Sequence, residues 1–275
     1  MWYRWDCGGC DHTAWSRDAA TLETELRSHL RTHYRRKRAD DNAQYSWACP
    51  YCGTSGVTYM KSDAGDAFEN HLSGHVPGIL ESTDVTDVLR TSDQLLLYAR
   101  ERDAAAAAMR KHVFYEADSL LVVTGSPDER LRILSEELPS PPRSTTVLTT
   151  ASPPYEHADA GAGRIDVARL DGGIGLTELA SEISTVIDEY EARGTFYVEF
   201  DIAGAILDRF GVEAGFKFIN ALNAWARNAG AGIYYPVSPA RQPESVLNVV
   251  EGLFDRSVHA RGDLLVSSSA ASPKG

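Results

Sequence analysis

All four cysteines of this 275-residue chain fall into two pairs, and each pair is followed at one fixed distance by a pair of histidines. Cys7 and Cys10 precede His29 and His33, and Cys49 and Cys52 precede His71 and His75. A shift of 42 positions carries the first set onto the second. The same shift carries Tyr3, Trp5, Leu26 and Leu30 onto Tyr45, Trp47, Phe68 and Leu72. The repeat therefore preserves donors together with the apolar residues around them. A C-x2-C turn can aim two thiolates at one point, and histidines four apart share one face of a helix. Four sulfur and nitrogen donors make a closed tetrahedral set, so the spacing predicts two structural Zn2+ ions and no catalysis at either. Leu26 and Phe68, three residues before the first histidine of each pair, are expected to bury beside the ion. A disulfide reading is disfavoured for an intracellular chain. A redox C-x2-C has no need of histidines at a repeated offset. His12, His112, His157 and His259 stand outside the pattern and are expected as surface or capping histidines.

Residues 3–34 and 45–76 resemble two-Cys-two-His zinc fingers. The resemblance implies two ββα modules that need their metal to fold. One departure is the 18 residues between Cys10 and His29, against about 12 in the common nucleic-acid-reading finger. The first helix is expected to start near Ser16 or Asp18, and the second at Ser62, a good N-cap. Early in these helices stand Asp18, Glu23 and Glu25, then Asp63, Asp66 and Glu69. Such acids suit a helix N-terminus but repel phosphates where a groove-reading helix makes its contacts. The basic run Arg35, Arg36, Lys37 and Arg38 is the candidate nucleic-acid contact, and its plainer reading is a helix C-terminal cap or a solvated linker. Trp2, Trp5, Trp15 and Trp47 could stack on bases, but in a small metal domain they are expected in a core or on a protein-binding face. Another protein is thus the expected partner, with nucleic acid the alternative.

Charge points the same way. The chain carries 27 Lys and Arg against 39 Asp and Glu, a net −12, most of it beyond residue 77. Such a surface repels a phosphate backbone. High acid content with few lysines suits a salt-rich cytoplasm. No apolar run approaches the roughly 20 residues of a membrane helix. The start, MWYRWDCGGC, lacks the basic-then-apolar order of a signal peptide. The expectation is a cytoplasmic protein without membrane contact.

Five segments follow by pattern: a first finger over 1–38, a second over 39–77, a helical connector over 78–112, an α/β domain over 113–268 and a tail over 269–275. The connector is read as helix over 84–112, with Val85, Val88, Leu89, Leu95, Leu96, Tyr98 and Ala99 as its apolar face and a break near Thr91 and Ser92. It serves either as a connector or as a dimerisation helix. From Ser119, apolar strand patterns such as SLLVVT, STTVLTT, TFYVEFD and AGIYYPV alternate with amphipathic helices. That alternation implies a mainly parallel sheet covered on both faces. A short strand pair around SVHA and DLLVSS ends the domain.

The stretches SLLVVTGSPDERLRIL, TFYVEFDIAGAILDRFGVEAGFKFINALNAWARNAGAGIYYPVSP and PESVLNVVEGLFD resemble the RecA/KaiC-like ATPase fold, and most of all its degenerate relatives in halophilic archaea. The resemblance spans residues 113–268 and implies a RecA-like sheet. An active member needs GxxxxGK[ST] after the first strand. The corresponding place reads Gly125, Ser126, Pro127, Asp128, Glu129, Arg130, without the second glycine, the lysine or the hydroxyl residue. Asp128 and Glu129 would repel phosphates there. Arg130 or Arg132 could supply charge but not a backbone cradle. Asp201 or Glu199 stands near the place of a magnesium acid and is expected as a solvent-facing or capping acid. No nucleotide is therefore expected. The reading is a non-enzymatic zinc-binding regulator or adaptor. A DNA-binding transcriptional regulator and an atypical weak ATPase are the alternatives.

Overall fold

The computed structural model describes residues 1–33, 44–84, 87–91, 93–100, 103–155, 164–190 and 194–267. Arg35, Arg36, Lys37 and Arg38, with His157 and Ser92, lie outside the described residues. The chain forms two compact units. Unit 1 is Met1–Asp84 with the C-terminal segment from Arg261, and unit 2 is Val85–Ala260.

Unit 1 contains the repeat. Its first copy is the hairpin β1 (Trp2–Asp6) and β2 (Thr13–Ser16), then α1 (Ala19–Leu30), then one tight turn over Arg31–His33. Asp18 caps α1 by accepting from the Thr21 N–H, as the sequence leads one to expect. The second copy is the hairpin β3 (Tyr45–Ala48) and β4 (Ser55–Thr58), then α2 (Lys61–Ser73) and a single turn, α3 (Val76–Ile79). Here the helix starts two residues earlier than expected. The N-cap is Met60, and Ser62 lies inside the first turn with its hydroxyl on Asp63.

Leu22, Leu26 and Leu30 from α1 join Phe68 and Leu72 from α2 in one buried cluster with Trp5, Ala14 and Val266. The two copies thus share a core rather than each holding its own. Trp5 Nε1 donates to the Tyr51 hydroxyl across the copies, and Arg31 pairs with Glu69 at 2.7 Å. The first hairpin is walled on both edges. β5 (Glu81–Thr83) pairs antiparallel with β1, and a C-terminal strand (Leu264–Ser267) pairs antiparallel with β2. The sequence pattern assigned that strand to the large domain; it belongs to unit 1 because Val266 enters the shared core beside Ala14.

Unit 2 opens on a strand where a helix was expected. β6 (Gln94–Tyr98) is buried at all five positions and replaces the central part of the helix read over 84–112. A short wholly apolar run carries no period to tell strand from helix. The elements that follow are α4 (Ala104–Glu116), β7 (Ser119–Thr124), α5 (Pro127–Arg132), β8 (Ser144–Thr149), β9 (Arg164–Arg169), α6 (Leu176–Glu189) and β10 (Phe196–Phe200). After them come α7 (Ala203–Phe210), α8 (Val212–Asn228), β11 (Gly232–Val237), α9 (Glu244–Glu251) and β12 (Arg256–Arg261). The unit 2 strands run β12-β6-β11-β10-β7-β8-β9, every neighbour parallel. Alternate residues of the strands face opposite ways. Leu121, Val123, Val198 and Phe200 pack with Ile183 of α6 and Leu222 of α8. Glu199 and Tyr234 face the other side, toward α4 and α5. Unit 2 is therefore α/β with a parallel sheet and helices on both faces. Among the described residues, no helix is long and apolar enough to cross a membrane.

The first residue of β11 is glycine for a reason. A Cβ on Gly232 would lie 2.8 Å from the Tyr197 ring and 2.7 Å from the Arg90 carbonyl oxygen. Neither the backbone nor a packed ring can yield cheaply, so Gly232→Ala is expected to cost about 1–3 kcal/mol of stability. Urea denaturation followed by far-UV circular dichroism measures it.

Candidate metal centres and a charged cleft

The second donor set assembles from a turn and a helix. The Cys49 N–H donates to the Thr54 carbonyl at 2.8 Å, and Gly53, at φ 70°, lets the chain reverse between them. This turn swings Cys52 toward α2, so that its Sγ lies 3.2 Å from His71 Nε2, and His75 Nε2 lies 3.1 Å from His71 Nε2. One donor atom from each of Cys49, Cys52, His71 and His75 falls within 4.8 Å of the other three. The Trp47 and Phe68 rings wall the site. Hydrogen bonds from the Thr54 hydroxyl and backbone, then from the histidines, pull the Cys52 thiol down to about 6. A thiol lowered in this way is ready to ligate as thiolate.

The first set repeats this geometry. The Cys7 N–H donates to the His12 carbonyl at 2.9 Å, and Cys10 Sγ lies 3.3 Å from His29 Nε2. Donor atoms of Cys7, Cys10 and His29 lie within 4.8 Å of one another. His33 ends the turn after α1, and its side chain lies outside the described part of the structure. Burial is the main reason that the Cys7 thiol is pushed up to about 11. Two soft donors with imidazoles suit a metal ion of the zinc type, so both groups fit a metal.

His12 corrects the sequence reading. It is not a surface histidine. Its ring stacks on His29 at 3.7 Å between centroids, and its Nε2 lies 3.5 Å from Glu25. Trp5 closes over both rings. His12 stands at the position of Thr54 in the repeat and acts as wall rather than donor. His259, partly buried on β12, stacks on Tyr98 at 4.4 Å. Cys49→Ala is expected to hold one metal equivalent fewer than the unaltered chain, and His12→Ala to hold the same number, by elemental analysis of purified protein.

Unit 2 has a cleft of about 700 Å³ where β6, β7, β10 and β11 end, lined among others by Arg100, Asp103, Glu129, Arg241 and Gln242. The C-terminal ends of parallel strands are where such sheets place ligands. A lattice of charge forms part of its wall, since Arg110, Arg130 and Asp201 line it as well. Glu199 is fully buried and accepts from Arg110 Nε at 2.9 Å and Arg130 Nη2 at 3.0 Å. Arg130 Nη2 also donates to Asp201 at 2.6 Å, and the Thr124 hydroxyl donates to Asp201 at 2.7 Å. Glu129, half exposed, pairs with both arginines. Glu199 is thus no solvent-facing or capping acid, and Asp201 is largely buried. The sheet orientation turns Glu199 inward, and the two guanidiniums make that burial tolerable. Arg110 was missed by sequence reasoning. The signal was present, because Ala106, Met109, Arg110, Val113 and Phe114 form one helical stripe and a charge on such a stripe needs a buried partner.

Glu199 and Asp201 are thus both paired with Arg130.

The lattice makes stability depend on pH. Burial alone would push the Glu199 carboxyl up, but Arg110 and Arg130 outweigh it and hold it below the usual carboxylate range. Its ionised form therefore contributes stability above the unfolded value, and the contribution is lost as pH falls through the lowered folded value. Asp201 runs the other way; burial raises it despite Arg130, so its ionisation costs stability. Glu199→Gln is expected to lower stability at neutral pH by about 3–5 kcal/mol, since it removes the fully buried carboxylate that Arg110 and Arg130 share. It should also flatten the loss below about pH 4. Urea midpoints measured across pH check both.

A family model described as "Family of unknown function (DUF7504)" matches residues 92–260, which is nearly the whole of unit 2. A solved structure from Pyrococcus horikoshii OT3 is 11% identical with a TM-score of 0.44, over 65% of this chain and 88% of that one. No curated protein matches the chain.

Proposed function

The chain belongs through residues 92–260 to that family of unknown function, and we propose that it is a non-enzymatic adaptor or regulator whose unit 1 is a zinc-stapled protein-interaction module. The carrying observation is an exposed apolar run on the second finger, Val57, Tyr59 and Met60 at 60%, 71% and 60% exposure. Large apolar side chains grouped at a surface are what protein partners cover. The donor chemistry supports zinc. Two thiolates with imidazoles form a closed set whose role is to hold a small fold together. Residues at the starts of the finger helices oppose a nucleic-acid role, because Asp18 caps α1 and Asp63 lies in the first turn of α2.

Unit 2 is the scaffold in this reading. Its all-parallel order, with the first strand in the sheet interior and helices on both faces, supports a RecA-like origin. Its charge is spent internally, with Arg110 and Arg130 held by Glu199, Glu129 and Asp201 where a catalytic site would present free groups. A photo-crosslinking amino acid at Tyr59, used in cells, is expected to give a discrete protein adduct that is lost when Cys49→Ala is added. A nucleic-acid adduct would transfer the reading to a DNA-binding regulator. Saturating ATP with magnesium is expected to leave the melting temperature unchanged; a rise of several degrees would restore the ATPase alternative.

A further inference from the structure

The repeat places two equivalent hairpins in one molecule, and their outer edges differ. In the first copy, β2 pairs with β1 on one edge and with the C-terminal strand on the other. Leu264 stands opposite Ser16, Leu265 opposite Trp15, Val266 opposite Ala14 and Ser267 opposite Thr13. In the second copy, β4 occupies the positions of β2 shifted by 42, residue for residue. It pairs with β3 in the register that β2 keeps with β1, since Tyr3 with Ser16 becomes Tyr45 with Thr58. Among the described residues, β4 has no strand on its other edge.

Burial records the difference. Trp15, opposite Leu265, is 1% exposed, whereas Val57, at the equivalent place, is 60% exposed. An unpaired edge presents a row of N–H and C=O groups, and proteins usually blunt it with charge, proline or a bulge. Ser55–Thr58 carries neither charge nor proline. Its inner face is already filled. The Trp47 ring lies over Gly56 so closely that a Cβ there would come within 2.6 Å of Nε1. A guest strand would therefore need little of its own core to seat.

We propose that the free edge of β4 is a strand-acceptor site, which takes an extended apolar segment of a partner protein as an added antiparallel strand. This rests on the reading of unit 1 as a protein-interaction module. The occupant of the equivalent edge states the chemistry of the guest. It is a short, uncharged, largely apolar strand of the Leu-Leu-Val-Ser kind, with an apolar residue opposite Val57 and its neighbour opposite Gly56, beside the Trp47 ring. Backbone hydrogen bonds supply the affinity, and the apolar residue that covers Val57 supplies the selection.

The test uses the full-length, metal-loaded protein and a fluorescent peptide of residues 261–267, RGDLLVS, followed by anisotropy. Saturable binding is expected, weakened at least tenfold by Val57→Lys, with metal content as the check that the variant folds. Two further peptides carry N-methyl groups on alternate amides, one on the odd positions and one on the even. A strand uses one edge only, so one of the two is expected to lose binding and the other to keep it. Binding indifferent to Val57→Lys would mean that the peptide displaces the chain's own strand from β2, and overturns the proposal. If both methylated peptides bind, side chains alone make the contact, and strand addition fails while the protein-interaction reading stands. Absence of peptide binding overturns the proposal, and if it is accompanied by dimerisation that Val57→Lys abolishes, the occupant is a second copy. A nucleic-acid adduct at Tyr59 would instead sink the reading beneath it.

Discussion

A two-stranded hairpin with a three-turn helix buries too little apolar surface to be stable alone, and unit 1 answers that shortage in three ways. Cys49, Cys52, His71 and His75 in one copy, and Cys7, Cys10 and His29 in the other, gather where a metal ion can replace a missing core. The two helices then pool Leu22, Leu26, Leu30, Phe68 and Leu72 into one cluster. Finally the first hairpin gains strands on both edges, one of them from the far end of the chain. Zinc-type fingers that read nucleic acid work as separate beads along a groove. The two copies here, joined through a shared core with strands on both edges of the first hairpin, lack that independence.

The same economy governs unit 2 in electrostatic form. A parallel sheet buries both faces, so the Glu199 carboxylate, next to the end of β10, is cut off from water. Glu199 is tolerated there because Arg110 and Arg130 reach it from two helices on one face. The arginines are satisfied in turn by Glu129 and Asp201. The position that parallel sheets use for ligands is thereby tied into the fold. Removing one member leaves buried charge, so the lattice holds as a unit rather than as separate pairs.

Legibility in the sequence followed the distance between partners. The two donor sets were legible because cysteines three apart share a turn and histidines four apart share a helix face. The Asp18 cap and the alternation of strands with helices were legible for the same reason. Gln94–Tyr98 was misread as helix because an all-buried run has no period, and His12 was misread because its partner His29 lies on a different element. The apolar edge at Val57 gave no signal, since one valine in a short strand is ordinary until its neighbours are seen to be missing.

By itself the sequence determined the repeat, the candidate donor residues, the acidic composition and the α/β class, because local spacing and composition carry each of these. Only the tertiary structure decided which edges are filled and which acid is buried. Glu199 meets Arg110 across 89 residues, and Ser16 donates to the Asp263 carbonyl across 247. Contacts at that separation are chosen by how strands order themselves in a sheet, and strand order is a property of the packed whole rather than of any segment.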